Sequence, residues 1–314
     1  ASLRCRRRTH ASHGVAASRE ASLAVSGVHV GLSLSAAEDL REAALPLFES
    51  GEVDALEWSL DLGFGGVPEW VDALLGHYGE AGRLVAHGVE LSTFTVGQGQ
   101  RRTRWMADVK GACARWRFEH LSEHVGIMTA GRTIGGTPLP HPYTSSALEI
   151  GRARLGELRE VTGLPVGIEN LAFALRARDV DEQADFVESL LAPSDGFLLL
   201  DLHNLLCQAE SFGRDPIELL LRYPLHRVRE IHLAGGNHFH AVTGGPPLRR
   251  DDHERDVPDP CFSMLEVALA RCPDLRFVFL EHADDTLRSP AELDAFRATF
   301  RRARALASAA RGPA

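Results

Sequence analysis

The stretch LLLDLHNLL, residues 198–206, sets an acid and an imidazole at the end of an apolar run. Its three opening leucines read as a strand buried on both faces. Asp201, His203 and Asn204 then follow without a break. An ionised carboxylate and an imidazole are costly to bury without a partner. Read as a continuing strand, Asp201 and His203 share one face while Leu200 and Leu202 share the other. Two ligands spaced in this way can reach one site. The same spacing returns in RRDDHERD, where Asp251 and His253 are two apart. Imidazoles and carboxylates without a thiolate make a metal-ligand set, because a cation supplies the charge that makes their burial tolerable.

Other strand-like runs end in the same way. The runs are GVHVGLSL (27–34), DALEWSL (54–60), RLVAHGVELS (83–92) and RFEHLSEHV (117–125), then PVGIENLA (165–172), GFLLLDLHN (196–204), VREIHLAG (228–235) and RFVFLEHA (276–283). Polar residues near their ends are Glu57, His87, Glu123 with His124, Glu169 with Asn170, Asp201 with His203 and Asn204, His232, and Glu281. So many donors exceed the needs of one four-coordinate ion, and about two or three ions would use them.

Helix-length segments separate the runs. AAEDLREAALPLFESG ends on Gly51, YTSSALEIGRARLGELREVTG on Gly163, and VDEQADFVESLLAP at Pro193. SPAELDAFRATFRRARALA opens with a capping Ser289 and Pro290 at the first helical position. Regular β–α alternation implies a parallel sheet with helical crossovers. The eight units predict one α/β domain, a (β/α)8 TIM barrel over 27–306, whose C-terminal mouth gathers the strand-end residues. A doubly wound open sheet is the alternative, but no run is followed by G-x-G-x-x-G or a Walker A loop. TVGQGQ is only a glycine-rich turn.

Residues 1–26, rich in Arg, Ser and Ala, read as a disordered extension without a signal-peptide core, and 307–314 as a frayed tail. No apolar run approaches the roughly 20 residues of a membrane span. The net charge of −9 argues against nucleic-acid and anionic-membrane partners, which want a basic face. Five scattered cysteines without a C-x-x-C pair fit a reducing cytoplasm. His120 reads as structural. His238 and His240, in the loop 234–262, read equally as solvated groups or as contacts to substrate or an extra ion. The RRTR cluster at 101–104 reads by default as a solvated helix start, with grip on an acidic peptide or phosphate as the alternative.

AHGVELS, LSEH, PHPYTSSAL, GIENLA, LLLDLHNLL, IHLAG, DDHERDVPDP and FLEH occur in one order along the chain. In that order and spacing the sequence resembles domain-of-unknown-function family 692 (DUF692), the multinuclear non-haem iron-dependent oxidative enzymes. The resemblance runs from about residue 27 to 300. It implies a xylose-isomerase-like barrel holding two or three irons. It further implies dioxygen as co-substrate, and oxidation of a ribosomally made precursor peptide, chiefly at cysteine. A separate protein that binds the peptide leader is an implied partner. The family's metal ligands correspond to His87, His124, Glu169, Asp201, His203, His232, Asp251, His253 and Glu281. Asn170 and Asn204 match family positions that brace those ligands or occasionally act as ligands, and Glu57 and Glu123 are further candidates to brace them. Two positions depart from the family pattern: His203 stands where Asn is frequent, and His282 where Arg is frequent. A zinc or manganese hydrolase, phosphoesterase or sugar isomerase on the same barrel is the alternative, since His and carboxylate suit those metals too.

Overall fold

The computed structural model describes residues 27–310 apart from 98, 131–132, 241–244 and 246. The expectation of a disordered extension at 1–26 falls outside them. In chain order the strands are β1 (His29–Leu34), β2 (Ala55–Ser59), β3 (Leu84–Gly88), β4 (Leu121–His124), β5 (Ile127–Ala130), β6 (Thr133–Leu139), β7 (Val166–Glu169), β8 (Phe197–Asp201), β9 (Val228–Leu233), β10 (His238–Phe239), β11 (Leu248–Arg249) and β12 (Phe277–Leu280). The helices are α1 (Glu38–Glu49), α2 (Leu60–Gly63), α3 (Glu69–Glu80), α4 (Gly99–Arg115), α5 (Ser145–Thr162), α6 (Ala177–Leu191), α7 (Leu202–Phe212), α8 (Pro216–Leu220), α9 (Asp259–Arg271) and α10 (Pro290–Ala309).

Eight parallel strands close into a barrel in the order β1, β2, β3, β4, β7, β8, β9, β12. This is the expected (β/α)8 fold, and each barrel strand lies within one of the eight apolar runs. Two antiparallel hairpins interrupt the simple alternation: β5–β6 follows β4, and β10–β11 follows β9. Both extend from the C-terminal ends of barrel strands, the face that carries the candidate site.

The strands are shorter than the runs suggested. The run 83–92 is strand only over Leu84–Gly88, because the Asp61 carboxylate takes the amides of Val89 (2.6 Å) and Glu90 (3.0 Å) out of the ladder. Capping by Ser289 is observed: its hydroxyl accepts from the Glu292 amide, with Pro290 at the first position of α10. That helix continues to Ala309 with Ala307 buried, three residues into the segment expected to fray. Residues 311–314 lie outside the described residues.

Alternate residues of each barrel strand face opposite ways. Outward, Leu56, Ala86, Leu121, Ile168, Leu198, Leu200, Ile231 and Val278 join the helices in one apolar core. Inward, Ala55, Val85, Phe277 and Phe279 form a separate small apolar plug. His120 packs edge-on against Phe197 and Phe277, and its Nε2 lies 2.8 Å from Glu230. Its structural reading fits this place, below the mouth and away from the strand ends.

Candidate metal centre

Six barrel strands deliver side chains to one small volume at the mouth. Glu169 and His124 are the last residues of β7 and β4, His87 and His232 the penultimate residues of β3 and β9, and Asp201 the last of β8. Glu281 follows β12 directly. The pairing register accounts for the convergence, since His124 lies beside Glu169 and Asp201 beside His232 on adjacent strands. Asp251 and His253 arrive from the loop after β11.

His203 reaches the site by another route than the sequence suggested. Strand β8 stops at Asp201, and Leu202 already begins α7. Asp201 caps that helix, its Oδ1 accepting from the Asn204 amide at 2.6 Å. An Asp at this position competes with strand continuation by satisfying an orphan helix donor. Asp201 and His203 therefore do not share a strand face; His203 turns in from the first turn of α7. Its Nδ1 lies 3.6 Å from Asp251 Oδ1.

Among the described residues, five overlapping triads offer ligand atoms that lie within 4.8 Å of one another. They are His87–His124–Glu169, His203–Asp251–His253, Glu57–His232–Glu281, Glu169–Asp201–His232 and Asp201–His253–Glu281. Within them, Glu169 Oε2 stands 3.4 Å from His87 Nε2 and 3.1 Å from His124 Nε2. His253 Nε2 meets Asp251 Oδ1 at 2.6 Å, and its Nδ1 lies 3.6 Å from Glu281 Oε2. His232 Nδ1 stands 3.1 Å from Glu281 Oε2 without the alignment of a hydrogen bond.

Buried atoms left without a hydrogen-bond partner include Glu169 Oε2, Asp201 Oδ2, His203 Nδ1 and His232 Nδ1. Each such atom costs a desolvation penalty unless something occupies the space it faces. All four belong to the triads, and nitrogen and carboxylate oxygen are the donors that iron, zinc or manganese take. The residues therefore fit a metal cluster.

Neighbouring groups orient the imidazoles. Ser122 Oγ meets His87 Nδ1 at 2.9 Å, leaving Nε2 for Glu169. Glu57 Oε2 meets His232 Nε2 at 2.8 Å, leaving Nδ1 toward Glu281. A hydrogen bond at one ring nitrogen fixes which nitrogen is free to bind metal. Asn204 donates to Glu169 Oε1 (2.9 Å), and Asn170 holds the backbone of Asp201 through its amide and carbonyl. Glu123 braces the backbone instead of a ligand side chain, accepting from the Leu91 and His124 amides.

Burial governs the protonation of the metal-free cluster. It lowers His87, and lowers His124 to about 3, so both are neutral. It raises Glu169 well above the usual carboxylate range. Burial together with the Asp251 carboxylate lifts Asp201 to about 6. Glu57 runs the other way: burial would raise it, but the contact with His232 outweighs this and holds it at about 2. Burial likewise opposes charge on His232 and His253. Glu57 and Glu281 overcome it for His232, and Glu281 and Asp251 for His253, so both imidazoles titrate well above their ordinary range.

Backbone geometry positions the candidate ligands of this loop. His253 adopts a left-handed conformation (φ +54°), sparsely populated by residues with a side chain. Gly236 packs behind the loop: a Cβ there would lie 1.9 Å from the Arg250 carbonyl and 2.8 Å from the His203 ring. Asp252 ties the loop down by accepting from the Asn237 amide at 2.9 Å.

The family model described as RiPP precursor modification enzyme MbnB/TglH/ChrH matches residues 62–305. The chain belongs to this family. A UPF0276 protein of Caulobacter vibrioides is 28% identical over 255 residues, covering 79% of this chain and 85% of that protein. Another, from Acaryochloris marina, is 31% identical over 170 residues, covering 53% of this chain and 61% of its own length, less than two thirds. Among solved structures, a xylose isomerase domain protein from Planctomyces limnophilus superposes with a TM-score of 0.54 at 13% identity, covering 89% of this chain and 96% of that one. At that identity the likeness is one of fold, a xylose-isomerase-like barrel.

In this member of the family a cavity of about 190 Å³ opens over the cluster. His87, His124, Asp251, His253 and Glu281 form its polar side, and Val89, Met128 and Pro138 its apolar side. His238 pairs with Glu210 at 3.0 Å, and neither it nor His240 belongs to a triad. On α4, Arg101 pairs with Glu90 and Arg102 with Glu157 of α5, so two of the RRTR cations are engaged by the protein itself. His282 turns from the mouth, its ring 5.8 Å from Phe296 and its Nδ1 2.9 Å from Thr286 Oγ1. No helix among the described residues is long and apolar enough to cross a membrane.

Sequence reading missed Glu230, Ser122 and Asp61. Glu230 precedes His232 by two on β9, and both side chains are buried inside the barrel. The period-two signal that misled at Asp201 and His203 was available there and correct.

Proposed function

We propose that this chain is a multinuclear non-haem iron enzyme that uses dioxygen to oxidise a precursor peptide at a cysteine side chain. The supporting observation is the sharing of ligands: Glu169, Asp201 and Glu281 each belong to two triads. A carboxylate has two oxygens and can serve two ions at once, so shared carboxylates suit a cluster of about two or three metals. Membership of a family described by RiPP precursor modification supports a peptide substrate.

Bound iron would supply dioxygen activation and would hold a substrate thiol as thiolate. Of the chain's own residues, His87, His124, Glu169, Asp201, His203, His232, Asp251, His253 and Glu281 would hold the ions. Glu57 and Ser122 keep His232 Nδ1 and His87 Nε2 facing the cluster. The cavity is smaller than the roughly 300–1,000 Å³ usual for a drug-sized ligand. It suits a single side chain projected from a peptide that lies across the mouth. Val89, Met128 and Pro138 flank that side chain and exclude water from it. A separate protein would present the peptide leader.

The test is to load the protein anaerobically with ferrous iron, add the cysteine-bearing precursor with and without a leader-binding partner, and admit dioxygen. Dioxygen consumption coupled to a mass change at a peptide cysteine is expected. Activity restored by zinc or manganese and not by iron would contradict the oxidative reading and favour a hydrolase or isomerase.

A further inference from the structure

A second cavity, of about 160 Å³, is lined by Glu254, Arg255, Thr286, Arg288 and Glu292. Its walls continue the two segments that deliver metal ligands: Arg255 lies two residues after His253, and Thr286 lies five after Glu281. A hydrogen bond from the Ala283 amide to the His253 carbonyl (2.9 Å) joins those segments between the two cavities. The wall is held in place from behind, since Asp39 accepts from the amides of Thr286 (2.9 Å) and Leu287 (3.0 Å).

The charges in this cavity are unevenly committed. Glu254 accepts from the Asn237 side chain at 2.9 Å. Glu292 accepts from the Arg288 amide and the Ser289 hydroxyl, both at 2.9 Å, as the partner of the α10 cap. Arg255 uses only Nε, donating to the Asn237 side-chain Oδ1, and Arg288 only Nε, donating to the Asp285 backbone carbonyl at 2.9 Å. The terminal nitrogens of both guanidiniums donate to nothing among the described residues, and neither side chain forms an ion pair there. This occurs in a chain whose acidic residues outnumber its basic ones by 43 to 34. Elsewhere on the mouth face Arg101 and Arg249 are paired with Glu90 and Glu210.

We propose that this pocket is a subsite for a carboxylate of the peptide substrate, gripped by Arg255 and Arg288 a few residues from the side chain that enters the metal cavity. A guanidinium presents a planar fork that matches a carboxylate, and two of them in one recess exceed what a single solvated charge supplies. The proposal rests on the peptide reading and adds a recognition element to it. The carboxylate comes from an Asp or Glu side chain or from the peptide C-terminus.

Binding to zinc-loaded protein, measured by calorimetry, separates these sources without turnover. The probes are acetyl-Cys-Gly-Gly-Glu amide, its Gln counterpart as the amide, and the same Gln peptide with a free C-terminal carboxylate. At least one carboxylate peptide is expected to bind about tenfold or more tightly than the neutral one. That preference should collapse in Arg255→Gln and Arg288→Gln and persist in Arg41→Gln, a change at an exposed ion pair on α1. Circular dichroism checks that the variants are folded. Equal binding of the three peptides, or a preference that survives both pocket substitutions, would overturn the subsite and leave the peptide reading intact. Should no peptide bind, a succinate titration followed by NMR of the arginine Nε–Hε signals decides. Saturable shifts at Arg255 and Arg288 would keep the anion pocket and remove its peptide source, and their absence would remove the pocket.

Discussion

The two faces of the same eight strands carry opposite chemistry. Outward, Leu198 and Leu200 of β8 and Ile231 of β9 are fully buried against helices in the main apolar core. Inward, one residue further along each strand, Asp201 and His232 are just as buried but belong to triads that could hold a metal. Burial is equal and its consequence is not. Apolar burial stabilises the fold at roughly 25 cal/mol per Å², whereas burial of unpartnered carboxylates costs free energy until a cation joins them. Stability is therefore concentrated in the layer between barrel and helices, and the proposed metal affinity inside the barrel.

Neighbouring substitutions on β8 should separate the two most sharply. Leu200→Ala should cost about 2–5 kcal/mol of folding stability, read by denaturant titration, while the folded fraction keeps its metal content. Asp201→Asn should do the reverse. Asparagine caps α7 as well as aspartate does, so apo stability should stay within about 1 kcal/mol while metal content falls. Global unfolding of Asp201→Asn would make the inner face structural.

Gly236→Ala should act at one edge of the cluster. The added methyl has no room beside the Arg250 carbonyl, so the 250–253 loop must shift. The expected result is loss of the metal held by His203, Asp251 and His253, with the remaining ions retained, read by elemental analysis. Unchanged content would mean that the loop supplies no ligand.

Glu57→Gln should weaken metal binding about 10- to 100-fold without emptying the site at saturating metal, because the amide still accepts a hydrogen bond from His232 but lacks the charge. Competition with a chelator measures this; wild-type affinity would show that the contact is incidental.

The smallest effect concerns pH. His232 and His253 titrate well above their ordinary range in the metal-free protein, so both carry protons that metal must displace. A raised pKa means more competition from protons as pH falls, so affinity should strengthen as pH rises through neutrality. Calorimetry in buffers of different ionisation enthalpy should detect proton release on loading; none would contradict the assigned protonation.

Much of this division was legible in the sequence because β-strand alternation is local. Strand-end residues such as His124 and Glu169 stood out as polar interruptions of apolar runs, and the structure brings them together. His203 was misplaced because the switch from strand to helix turns on one capping bond, Asp201 to the Asn204 amide. Asp251 and His253 are adjacent as their spacing suggested, but in irregular backbone, with His253 left-handed. The bond that Glu57 accepts from His232 joins residues 175 apart, and no local pattern reveals such a pairing. Glu230 lies two before His232 on one strand face, a local signal passed over because it is not at the strand end.

The most direct measurement is the metal content of the wild-type protein purified anaerobically without chelator, by elemental analysis with Mössbauer spectroscopy of iron-57-loaded samples. About two to three irons per chain, with spectra of magnetically coupled sites, are expected. A single uncoupled iron, or zinc alone at one ion per chain, would contradict a multinuclear iron cluster in the barrel mouth.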